Sequence, residues 1–82
     1  MDNEIWPVYR QLVGGSHYYR IQALDRFQEL QRIGSRWVLH EVSATAYPER
    51  VRVYDMLNLN SPYVPLKEQD WQRAEATWKQ VR

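Results

Sequence analysis

The sequence predicts an α+β fold: a small three-stranded, mainly antiparallel sheet packed with helices, in the element order α-β-α-β-β-α. Three observations carry that prediction. Residues 36–44 alternate as a strand does. Residues 68–81 and 25–33 carry apolar side chains at helical spacing. The link between residues 44 and 50 is too short for a parallel crossover, so the strands it joins should form an antiparallel hairpin.

The elements follow in order. In residues 3–13, Ile5, Val8, Tyr9 and Leu12 fall at i, i+3, i+4 and i+7, one face of a helix, with Pro7 tolerable in the first turn. Gly14-Gly15 then ends the element. The competing assignment is a strand that forms a hairpin with the next one through the Gly-rich turn. Residues 17–22 are rich in β-formers, with Tyr19 and Ile21 on one face and Tyr18 and Arg20 on the other. Residues 25–33 read as a helix with Leu24, Phe27, Leu30 and Ile33 on its apolar side. Asp25 stands as its N-cap, Gln28 three residues on completes a capping box, and Gly34 is placed as the C′ residue.

In residues 36–44, Val38, His40, Val42 and Ala44 alternate with Trp37, Leu39, Glu41 and Ser43. Both faces carry apolar groups, which predicts a central strand. Tyr47-Pro48 reads as a loop. Residues 50–55 read as a further strand, with Val51 and Val53 facing one way and Arg50, Arg52 and Tyr54 the other. Residues 58–65 are loop by composition. The final helix, 68–81, places Trp71, Ala74, Trp78 and Val81 on one face. Leu66 and Trp71 are spaced as a hydrophobic staple, and Glu68 and Asp70 lie at the positive end of the helix dipole.

An 82-residue chain without linker or repeat is expected to be one domain over residues 1–82, with a thin core. The absence of cysteine removes disulfides, thiolate nucleophiles and Cys-based zinc sites. With acids near Met1, where a signal peptide would carry positive charge, and no apolar run of spanning length, the expected location is the cytoplasm, with no membrane partner.

Catalytic chemistry lacks a signature. No serine stands in a G-x-S-x-G elbow, Gly14-Gly15-Ser16-His17 lacks the lysine and spacing of a phosphate loop, and no paired carboxylates stand out. His17, His40 and Glu41 are the nearest approach to a two-His, one-carboxylate metal set, but neighbours in a strand face opposite ways. We therefore expect no enzyme, no metal and no cofactor.

The informative bias is elsewhere. Nine of the eleven basic residues are Arg, and four Trp and six Tyr stand against one Phe. These are the residue types that anchor interfaces. The expected function is a small protein-interaction module, such as a regulator, accessory subunit or inhibitor, with another protein or a second copy as partner. Its expected contact residues are Tyr18, Arg20, Arg50, Arg52 and Tyr54, gathered as an Arg/Tyr platform on one sheet face. The same platform would suit single-stranded nucleic acid. That alternative ranks second because the net charge is only +1.

Overall fold

A computed structural model of the chain describes residues 5–80. Five strands and two helices follow one another as β1 (Val8–Leu12), β2 (His17–Ala23), β3 (Arg26–Ile33), β4 (Arg36–Ser43), α1 (Tyr47–Leu57), β5 (Tyr63–Pro65) and α2 (Glu68–Gln80). The strands form one antiparallel sheet in the order β4-β3-β2-β1-β5. This corrects the expected three-stranded sheet and the α-β-α-β-β-α order.

Each face of the sheet is covered by one helix. On the first face, Tyr19, Ile21 and Phe27 close over Val53 and Met56 of α1, with Ala44 among them. On the second face, Leu30 is buried against Leu66, Trp71 and Ala74 at the start of α2, flanked by Tyr9, Tyr18, Trp37, Leu39 and Trp78. The spacing of Leu66 and Trp71 is the staple expected from the sequence, and both side chains are buried.

Coverage on both faces explains the reassigned elements. In β3, Phe27 points to the first core and Leu30 to the second, and both are fully buried. A strand buried on both sides loses its alternation, and an i, i+3 pair of apolar residues then resembles a helix. Residues 26–33 are therefore a strand, paired with β2 and β4. Leu24-Asp25 is the turn before it, and a register shift between Ile21 and Ala23 accompanies that turn. Gly34, at φ 65°, opens the two-residue turn into β4 instead of ending a helix. A positive φ at the first central position is what a II′ hairpin turn requires, and glycine meets it without strain.

The N-terminal helix is likewise replaced by β1. Val8 and Leu12 face the first core and Tyr9 the second, and pairing with β2 around the Gly14-Gly15 turn gives the hairpin that was the competing assignment. Residues 50–55 are not a strand but the middle of α1. Pro48 sits in the first helical turn, where its missing N–H costs no hydrogen bond, so Tyr47-Pro48 starts a helix instead of a loop. Val53 and Met56, three residues apart, are buried on one side, and this tertiary contact overrides the β-preference of Val51 and Val53. β4 is an edge strand, not a central one. Residues 17–22, 36–43 and 68–80 keep their predicted types as β2, β4 and α2, while Ala44 follows β4 and Val81 lies outside the described residues. Among the described residues, no helix is long and apolar enough to cross a membrane.

Candidate functional site

The five residues singled out in the sequence fall in three places, so the Arg/Tyr platform does not form. Tyr18 and Arg20 lie on the face of β2 that α2 covers. The Tyr18 ring packs on Trp37 with centroids 4.8 Å apart and planes at 40°. These two rings floor a small open cavity of about 200 Å³, walled by Asp70, Arg73, Ala74 and Thr77 of α2. An Arg73–Asp70 ion pair of 3.2 Å lies along its wall. Arg20 is half-buried between Tyr9 and Gln28 in register, and its Nε is enclosed without a hydrogen-bond partner among the described residues, as is Trp71 Nε1.

Arg52 lies on the other side of the sheet, on the inward face of α1. Its guanidinium carbon stands 5.2 Å from the centroid of the Phe27 ring and 5.7 Å from that of Tyr19. Its Nη2 donates a long hydrogen bond of 3.5 Å to the Tyr19 hydroxyl. Tyr63 meets Tyr19 edge-on, with centroids 5.6 Å apart. Burial pushes the Tyr19 hydroxyl well above the usual tyrosine range, reinforced by Glu29 and opposed by Arg52. Desolvation pulls the Arg52 guanidinium down, but Tyr63, Tyr19 and Glu29 outweigh it and hold it above its ordinary value. Arg52 therefore serves as a half-buried positive pillar between α1 and the sheet. Arg10 works similarly: its Nε donates to the Met56 carbonyl at 2.8 Å, satisfying an acceptor in the last turn of α1.

Arg50 and Tyr54 remain in solvent. They share the outer face of α1 with Tyr47, at i, i+3 and i+7, opposite the buried Val53 and Met56. Tyr47 is 79% exposed and Tyr54 60%. The spacing of Tyr47 with Arg50 and Tyr54 is visible in the sequence once Pro48 is read as a helix start. As part of a strand, Arg50 and Tyr54 group instead with the half-buried Arg52.

The histidines fall together on the first sheet face, and Glu41 faces away from them. His17 Nδ1 shares a hydrogen with Ser16 Oγ at 2.9 Å, while its Nε2 lies 3.8 Å from Glu29. His40 Nε2 bonds Gln31 Oε1 at 3.2 Å, and Gln28 donates to Glu41 at 3.0 Å. Among the described residues, no three His, Cys, Asp or Glu side chains converge as a metal-binding group. No family model, curated protein or solved structure matches the chain.

Proposed function

We propose that the protein is a small protein-interaction module that binds another protein through the solvent face of α1. The observation that carries this is the pairing of Tyr47 and Tyr54, both largely exposed, around Arg50 on a helix whose other side is already buried. The second helix supplies the contrast. The solvent side of α2 carries Gln69, Gln72, Arg73 and Lys79, a well-hydrated surface. Large rings in water forgo burial free energy, whereas tyrosine and arginine are the side chains that concentrate binding energy at interfaces. Along one helix face the three residues span about 10 Å, enough to seat in a groove of a partner.

Nucleic acid takes second place for a specific reason. With Arg52 turned inward, the exposed stripe keeps one cation, and Glu49 and Asp55 share its helix. Rings without a track of cations suit a protein groove better than a phosphate backbone. A binding role through this face involves no catalytic group and no cofactor.

The test is site-specific photo-crosslinking in the native cell, with a photoreactive phenylalanine at position 47 or 54 and a control at Gln69. The expected result is a discrete protein adduct from 47 and 54, absent from 69 and lost when Arg50→Glu is added. Adducts to RNA or DNA, or no adduct at either tyrosine position, would overturn the assignment.

A further inference from the structure

We propose that two copies of this chain join along their β4 strands into one continuous antiparallel sheet. The contact lies away from the α1 stripe and goes beyond the function proposed above.

The two sheet edges are unlike. β5 is three residues long, Pro62 precedes it and Pro65 is its last residue. Proline has no N–H to offer and blunts an edge. β4 has eight residues, contains neither Pro nor Lys, and keeps an unbroken register with β3. Apolar side chains continue outward at this edge: Ile33 is 56% exposed and Val38 37%, while Trp37 and Leu39 extend the second core.

The backbone phase of the edge is fixed. The two-residue turn closes on the Ile33/Arg36 pair, which is hydrogen-bonded in such hairpins, so Arg36, Val38, His40 and Val42 direct their peptide groups to β3. Trp37, Leu39 and Glu41 direct theirs outward. The Arg32 N–H agrees with this phase, since it donates away from β4, to the Ser16 carbonyl at 2.8 Å.

A second copy fits this edge in one register. With the two-fold axis at Leu39, Leu39 faces Leu39 of the second copy, and Trp37 faces Glu41 in an outward-bonding pair. Val38 then faces His40. A row Leu30–Leu39–Leu39–Leu30 crosses the junction and links the two α2-covered cores. In register, Trp37 then stands between its β3 neighbour Arg32 and Glu41 of the second copy. Both charges are exposed in the single chain, so their approach is complementary. Moving the axis to His40 sets Leu39 against Glu41, and moving it to Val38 sets Arg36 against His40. The arrangement is isologous, and the remaining edges are the short, proline-blunted β5 strands, so assembly stops at two copies.

Sedimentation equilibrium of the full chain over a concentration series tests this. A monomer–dimer equilibrium is expected. Glu41→Arg sets like charges beside Trp37 and should raise the dissociation constant about tenfold or more, and Arg32→Glu in the same chain should restore it. Because Glu41 is exposed and its side chain meets Gln28 alone among the described hydrogen bonds, the fold of the variant is checked by circular dichroism. Semisynthetic N-methylation at Leu39, which removes one outward N–H without changing a side chain, should also dissociate the dimer. A chain that stays monomeric throughout overturns the proposal. So does a dimer indifferent to Glu41→Arg and to the N-methyl group, or one dissociated by Arg50→Glu, which would place the contact on α1.

Discussion

Arg50 and Arg52 are two residues apart and do opposite work. The Arg52 stem and guanidinium lie over Phe27 and Tyr19, where its cation meets two ring faces and its carbons cover the core. Arg50 points into solvent. In urea denaturation, Arg52→Ala should cost about 1–2 kcal/mol, from lost packing and lost cation–π attraction. Arg50→Ala should stay within about 0.5 kcal/mol of the wild type. Equal effects would mean that Arg52 is not the half-buried pillar described above. The sequence signals that arginine and tyrosine are abundant, but which of them face water depends on the period of the element that carries them. At period 2, Arg50, Arg52 and Tyr54 share a face. At the helical period, Arg52 leaves that face and Tyr47 joins it.

At the scale of the element, legibility followed coverage. β2 and β4 show strand character in the sequence, and α2 shows helical spacing together with its staple. All three were readable because local preference and tertiary burial agree. β3 and α1 differ from their expected types in opposite directions. Phe27 and Leu30 look helical because each reaches a different core through a different face of the sheet. Val51 and Val53 look like strand residues, and only the contact of Val53 and Met56 with Tyr19, Ile21 and Phe27 makes helix the better choice. Neither contact is visible without knowing that the sheet is covered twice. The sequence places Gly34 at a helix end, whereas its positive φ serves a hairpin turn. Its turn offers a clean test, because a Cβ added there meets nothing within 4 Å and the cost is conformational alone. Gly34→Val should lower stability by about 1–2 kcal/mol in thermal denaturation. Gly34→Asn should recover only part of that loss, since the first central position of a II′ turn favours glycine and is not the left-handed helical region that asparagine tolerates. A Gly34→Val chain as stable as the wild type would contradict the II′ turn.

At the scale of the whole molecule, one sheet lies between two helices, and the helices spend their outer faces differently. α2 gives water the polar side chains it hydrates well, while α1 gives it Tyr47 and Tyr54. A chain of this length has a narrow stability margin, so rings that could have enlarged a core are a real forfeiture unless another surface receives them. The β4 edge is the second exposed feature of the same kind, and its position at the far end of the sheet order from β5 leaves one sheet edge free to pair and one blunted. One comparison separates an interaction role for the α1 surface from a role in the fold. A chain carrying Tyr47→Ser, Arg50→Ser and Tyr54→Ser together is measured for unfolding free energy and for binding to the protein cross-linked at position 54. The expected result is a stability within about 1 kcal/mol of the wild type and a loss of binding. A fall in stability of about 3 kcal/mol or more with binding intact would show that the tyrosines serve the fold and that α1 is not the contact face.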